Sequence, residues 1–357
     1  MRIVFDLDDT ICRTQNRDYV NSSEISAVVS KMREMRKTLP DVEIIVHTSR
    51  GMASCNGDAT AAEEKNRPTI EKWLSEHGIQ VDGVIFGKPL ADLYVDDKAM
   101  TAEDYANAEI QQFHGFSGAK VTRIGNVVIK EADNVNAQAE WYKAAAEHYH
   151  DRHDMPCFVT VPQVYSVTLG KLYMKYINGV SGVKAVNHGL ISDIMSVLLW
   201  ERTLDGENDL DAYAKYVESR AASVGLKTDI GERLRKCEPL KQRTFCHGDL
   251  SLQNIISYGS GYAFIDPSPK QGMESWILDA AKLRASLNIL DEVLENTAHS
   301  ATLIVTLDRR VGSKELMRAV KLAEESHIIR VWYYARKLGK KQQEKQLETY
   351  YRRVYGG

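Results

Sequence analysis

Two α/β domains of different build are expected from the sequence. Residues 1–108 are expected to form a doubly wound parallel sheet. Residues 109–357 are expected to form an α+β domain, with a small sheet over about 109–180 and a helical lobe over about 181–357. Three observations carry this expectation. Up to about residue 105, apolar runs of strand length alternate with helical periodicity, and each run stops at polar residues. Beyond that point the pattern changes to paired short strands, one helix and then helices almost throughout. A chain of 357 residues also suits two domains of roughly 100–200 residues each.

The elements follow in order. "RIVFDL" is a short β-branched run that stops at Asp6, and Ile25, Val28, Val29, Met32 and Met35 recur at helical spacing after it. "VEIIVHTSR" is a second buried strand with a polar end, and "RPTIEKWLSEHG" is a helix stopped at Gly78. "VDGVIFGKP" and "ADLYVDDKA" add two strands, so the strand ends should gather polar groups on one side of the sheet. "AKVTRIGNVVIKEA" reads as two strands turning at Gly125-Asn126. "NAQAEWYKAAAEHYH" is helical, and "FVTVPQVYS" and "KLYMKYING" are strands. No Gly/Pro-rich linker marks the boundary, and no internal repeat is visible.

Composition narrows the function classes. A net charge of −3 gives no reason to expect a nucleic-acid partner. The N-terminus meets Asp6, Asp8 and Asp9 too soon for a signal peptide, and no apolar run approaches the roughly 20 residues that insert in a membrane. "ISDIMSVLLW" is the most apolar helix, and Asp193 within it suits a buried helix better than a lipid-facing one. The five cysteines are scattered and form no C-x-x-C pair, which fits a reducing cytoplasm and speaks against structural zinc.

Four strand-end pieces belong together: "DLDDT" with Asp6 and Asp8, "HTSR" with Thr48, "GKP" with Lys88, and "VDD" with Asp96 and Asp97. The set suits phosphoryl chemistry. A carboxylate nucleophile approaching a phosphate dianion needs Mg²⁺ and a lysine to cancel like-charge repulsion. A second carboxylate two residues on points to the same side of an extended segment, where it can serve as acid and base. A Thr hydroxyl can hold phosphoryl oxygens, and later acids can complete the metal shell. In order and spacing these motifs resemble the haloacid-dehalogenase-type phosphatases. The resemblance implies Asp6 as nucleophile, Asp8 as acid/base, Thr48 and Lys88 as phosphate-binding, and Asp6, Asp8, Asp96 and Asp97 as metal-binding. The short segments between motifs are similar to the capless branch, which includes phosphatases encoded with capsule genes.

The second constellation is "HGDLSLQN" with Asp249 and Asn254, followed by "FIDP" with Asp266. Transfer from ATP to an alcohol needs a carboxylate at the incoming hydroxyl, oxygen ligands for Mg²⁺ and a cation on the nucleotide phosphates. Asp249 would be the base, and Asn254 and Asp266 the metal ligands. In "VVIKEA", Lys130 could reach nucleotide phosphates, paired with Glu140 or its rival Glu147. "MKYING" has the look of a hinge that holds adenine. These pieces resemble the aminoglycoside phosphotransferase and choline kinase group, which has a protein-kinase-like fold. The loop "FHGFSGAKV" departs from the GxGxxG of protein kinases. His247 is expected to brace its loop rather than transfer protons.

The sequence therefore points to a bifunctional enzyme with Mg²⁺ at both sites and ATP as donor. Its partners would be a small phosphate ester and an alcohol, a sugar or polyol for surface-polysaccharide precursors. Alternatives are a choline, ethanolamine or aminoglycoside kinase fused to a generic phosphatase, a polynucleotide kinase-phosphatase, and an inactive scaffold. No GxxxxGK[ST] loop supports the polynucleotide reading. "HYHDRHD" is read as a solvated polar turn, "DLDAYAKYVESRAAS" as core periodicity, and the basic tail as an amphipathic helix.

Overall fold

Three parallel strands, Arg2–Phe5, Glu43–Thr48 and Gly83–Phe86, form a sheet with Glu43–Thr48 in the centre. Thr48 lies opposite Phe86, so these two strands end level, and Phe5 lies opposite Val46, which brings the following Asp6 and Leu7 toward the same end of the sheet. This computed structural model describes residues 1–14, 18–91, 99–114, 119–150, 157–201, 203–259, 261–268, 273–294 and 297–356. The chain divides into two units, Met1–Ala132 and Asp133–Gly357.

In the first unit the helix Ser26–Thr38 buries Val28, Val29, Met32 and Met35 against the sheet core of Phe5, Ile44 and Val46. Each such side chain contributes roughly 1.5–3 kcal/mol when removed from water. The next helix differs from its sequence reading. It runs Ala59–Glu76, so Pro68 lies in its interior and not at its start. Asp58 explains the earlier start, because its carboxylate accepts the Thr60 and Ala61 N–H groups that the first turn leaves unpaired. Ile70, Trp73 and Leu74 anchor the later turns. A meander of Ile110–His114, Lys120–Ile124 and Val127–Glu131 follows, with the turn at Gly125 in the left-handed region (φ 57°). The strand expected from "ADLYVDDKA" falls on residues 92–98, outside the described residues.

The second unit opens with the helix Val135–His150, which buries Gln138, Trp141, Tyr142, Ala145 and Tyr149 along one face. The hairpin of Val164–Thr168 and Lys171–Lys175 turns through Leu169 (φ 53°) and Gly170 (φ 72°). A four-stranded sheet has the order Val180–Ser181, Ile255–Tyr258, Gly261–Phe264, Phe158–Thr160. The unit also holds the helices His188–Leu199, Leu210–Ser223, Ile230–Arg235, Trp276–Leu294, Thr297–Val311, Lys314–Lys337 and Lys341–Tyr355, and an antiparallel pair of Thr203–Glu207 with Gln242–Thr244. Asp193, on the apolar helix, accepts a hydrogen bond from Tyr262 (2.8 Å). Among the described residues no helix is long and apolar enough to cross a membrane.

One reading is corrected. His148 does not belong to a solvated turn: it is buried in its helix, with Nε2 at 2.7 Å from Glu201. Tyr149 donates to the same carboxylate at 3.1 Å. Burial of the helix face, not the polar run, decides this position. Residues 151–156 of that run lie outside the described residues.

Candidate functional site

Two clusters of chemistry-bearing side chains form, one in each unit. In the first, Asp6 follows directly on the Arg2–Phe5 strand. One of its oxygens accepts the Leu7 N–H (2.8 Å), and the other meets Lys88 Nζ at 2.6 Å. Lys88 reaches it from the loop beyond Gly83–Phe86 and is tied down by its own N–H to the Thr48 carbonyl (3.3 Å). Thr48 is fully buried, and its hydroxyl accepts the Arg50 N–H (3.0 Å). The structure thus brings Asp6, Thr48 and Lys88 together from three adjacent strand ends.

Asp8 has a partner that sequence reasoning passed over. Arg50 holds it in a fork, with one contact at 2.6 Å and the other at 3.1 Å, and Arg50 itself is buried. The guanidinium also stacks on Tyr19, 4.4 Å from the ring centroid. Such bidentate pairing fixes a carboxylate in orientation as well as charge. Arg50 stands in the quoted "HTSR", so only the role was missing from the sequence reading. Asp96 and Asp97 lie outside the described residues.

The second cluster is built on the loop Cys246–Asn254. Gly248 takes a left-handed conformation (φ 76°), which a side chain would resist, and this turns Asp249 out of the chain direction. Asp279 fastens the turn from the Trp276–Leu294 helix by accepting the His247 and Gly248 N–H groups at 2.6 and 2.8 Å. His247 is buried, receives the Asp249 N–H on Nδ1 (3.2 Å), and bonds the Ile265 carbonyl through Nε2 (2.9 Å). It braces the loop, as expected. Asn254 directs its amide nitrogen to the Asp249 carbonyl (2.8 Å) and carboxylate (3.3 Å).

Asp266 follows the Gly261–Phe264 strand and is also left-handed (φ 56°). Gln138 donates to its carboxylate (2.9 Å) and to the Pro267 carbonyl (2.6 Å), while Tyr142 accepts its N–H (2.8 Å). Gln138 and Tyr142 are therefore polar groups that the Val135–His150 helix sends to this site. Glu140 and Glu147 are both exposed on that helix, and Lys130 is buried in its strand. Residues 115–118 of the expected nucleotide loop lie outside the described residues.

Lys282 is the second group the sequence did not reveal. Its ammonium contacts the Asp249 carboxylate from within the Trp276–Leu294 helix. Burial pushes the Asp249 carboxyl up, but the Lys282 charge outweighs burial and holds it below the ordinary carboxylate value. A carboxylate kept ionised can accept a proton from an incoming hydroxyl.

The His247 imidazole is driven down to about 4, chiefly by burial. Its value in the unfolded chain is about 6.5, so the unfolded state binds the proton first as pH falls. The stability His247 contributes is complete above about pH 6.5 and is lost progressively toward pH 4. The stability difference between the native protein and His247→Asn should therefore shrink by roughly 3 kcal/mol from pH 7 to pH 4. Urea melts at the two pH values measure this, and a pH-independent difference would contradict the buried neutral imidazole.

No protein-family model and no curated protein matches this chain. Solved structures do resemble it. A structural-genomics target from Vibrio cholerae is 27% identical over 30% of this chain and 89% of its own, with a TM-score of 0.29. An ADP-bound aminoglycoside phosphotransferase is 17% identical over 68% of this chain and 92% of its own, with a TM-score of 0.42. Another aminoglycoside phosphotransferase, from Streptomyces rimosus, is 20% identical over 62% of this chain and 93% of its own, with a TM-score of 0.40.

Proposed function

We propose that the chain is an ATP-dependent small-molecule kinase that also carries a phosphomonoesterase site. The kinase reading rests chiefly on one observation: a half-buried carboxylate, Asp249, is held by Asn254 and Lys282, and His247 ties its backbone to the Ile265 carbonyl next to Asp266. In this reading Asp249 accepts the proton of the acceptor hydroxyl as that oxygen attacks the terminal phosphorus of ATP, and ADP leaves. Lys130 is proposed to hold the nucleotide phosphates, with Glu140 or Glu147 as its partner. The kinase part is taken as residues 109–357 and the phosphatase part as 1–108.

The oxygen donors Asn254 and Asp266 suit a hard cation. Because Asn254 turns its nitrogen to Asp249, its carbonyl oxygen faces away from that bond and suits an outside ligand. Bound Mg²⁺ would offset charge on the nucleotide phosphates.

The phosphatase reading is supported by Asp6 at a strand end with Lys88 against it. Asp6 would attack phosphorus, Asp8 would give its proton to the departing alkoxide, and Asp8 would then take a proton from the water that cleaves the acyl phosphate. Lys88 and Thr48 would hold the phosphoryl oxygens. Asp6, Asp8, Asp96 and Asp97 are the proposed metal ligands. A sugar or polyol acceptor in surface-polysaccharide synthesis extends the sequence resemblance.

Full-length protein incubated with ATP and an alcohol library should form ADP only when an acceptor is present. EDTA should abolish both this activity and phosphate-ester hydrolysis, and added Mg²⁺ should restore both. Full activity in EDTA would contradict the metal assignment. Absence of ADP formation with every acceptor, together with no nucleotide binding, would contradict the kinase reading.

A further inference from the structure

Three helices of the second unit supply the cations Lys282, Arg330 and Arg220, of which, among the described residues, Lys282 alone has a carboxylate partner, Asp249 itself. Lys282 comes from Trp276–Leu294, Arg330 from Lys314–Lys337 and Arg220 from Leu210–Ser223. These helices are joined in the core: Arg284 pairs with Glu324, and Tyr213 bonds Ser326 at 2.7 Å. Neighbouring arginines are matched to acids, as Arg233 is to Glu325 at 2.8 Å. Among the described residues Arg220 and Arg330 form no ion pair with a carboxylate, and the Nε of each is buried with no hydrogen-bond partner. Leaving such a donor unmade inside a protein is costly, so two half-buried guanidiniums with no acid partner among the described residues call for an explanation.

Tyrosines surround these arginines in place of acids. The Arg220 guanidinium lies 4.1 Å from the Tyr333 ring centroid and 4.9 Å from that of Tyr216. Arg330 lies 5.8 Å from the Tyr216 centroid. Ring faces hold a guanidinium in place without neutralising it. The positive field reaches the reactive carboxylate. Burial lowers the Lys282 ammonium, the Asp249 charge opposes this, and the Arg330 charge adds to the lowering. Burial raises the Tyr216 phenol, yet Arg330, with hydrogen bonds from Arg220 and Tyr334, brings it below its ordinary value. A site of this sign repels ammonium-bearing acceptors and attracts acids.

We infer that Arg330, Arg220 and Lys282 form the acceptor pocket beside Asp249, and that the acceptor is an alcohol bearing a carboxylate or a phosphate. This inference rests on the kinase reading for its meaning but can be tested apart from it. In it, Arg330 and Arg220 grip the acid group while Lys282 keeps Asp249 ionised and aimed at the hydroxyl. It argues against choline, ethanolamine and aminoglycosides as acceptors.

The test is calorimetric titration of the full-length Asp6→Asn chain, which cannot consume phosphate esters through Asp6, with and without ADP and Mg²⁺. The probes are gluconate against glucitol, glycerol phosphate against glycerol, and glucosamine as the cation. An anionic probe should bind at least about 10-fold more tightly than its neutral match, and the tighter of gluconate and glycerol phosphate identifies the acid group. Arg330→Gln should weaken that probe by roughly 10–100-fold, and Arg330→Lys should recover part of the loss. Arg220→Gln serves as the second variant should Arg330→Gln fail to fold. Neutral or cationic probes binding as tightly as anions, or anion binding indifferent to both arginines, would overturn the inference. Failure to bind ADP would instead count against the kinase reading, and the probe titrations would still decide the pocket.

Discussion

Asp249→Asn is expected to lower the ATP-dependent phosphorylation rate by roughly 10²–10⁴-fold, the usual loss when a general base is removed. The substitution keeps the shape of the side chain but removes its charge, so nucleotide affinity should change little. The amide bond from Asn254 to the Asp249 carbonyl involves backbone and should survive. Lys282, however, loses the acid it touches. Removing one partner of an enclosed ion pair can destabilise a protein by a few kcal/mol, so the melt should shift modestly while the rate collapses. The double variant Asp249→Asn/Lys282→Met should recover the stability but not the rate. A kinase rate within a few-fold of the native value would show that Asp249 is not the base.

Asp6→Asn is expected to have the larger effect on the other chemistry. Without a nucleophile the covalent route closes, and hydrolysis of a small phosphate ester should fall by at least about 10⁴-fold. The variant also removes the acid against Lys88, 2.6 Å away, so the lysine should gain freedom without loss of fold. Asp6 and Lys88 belong to the cluster of the first unit, and Asp249 to that of the second. ADP formation with an acceptor should therefore persist. Near-native ester hydrolysis by Asp6→Asn would remove Asp6 from the nucleophile's role.

Strand ends and loop motifs were legible in the sequence because their information is local. "DLDDT", "HTSR" and "GKP" each close an apolar run, and parallel strands in register bring such ends together. "HGDLSLQN" likewise places Asp249 and Asn254 five residues apart within one tight loop. What stayed hidden comes from far along the chain. Lys282 looks like any lysine in a helix, and only the packing of that helix under the loop turns it onto Asp249. Arg330 and Arg220 sit among tyrosines on helices whose periodicity announces nothing but burial. Gln138 was passed over in favour of Glu140 because charge attracts notice, whereas burial selects the neighbour on the inner face. The helix start at Ala59 was missed for a similar reason: Pro68 is a strong local signal, and the Asp58 cap together with the buried Ile70 and Trp73 outweighs it.

The proposed function puts two separate phosphoryl chemistries in one chain. It is tested most directly by assaying released phosphate from a small ester and ADP formed with an acceptor in parallel, on the native protein, Asp6→Asn, Asp249→Asn and the double variant. Asp6→Asn should lose only ester hydrolysis, Asp249→Asn only ADP formation, and the double variant both. A folded single variant that loses both activities, or either activity surviving in the double variant, would contradict it.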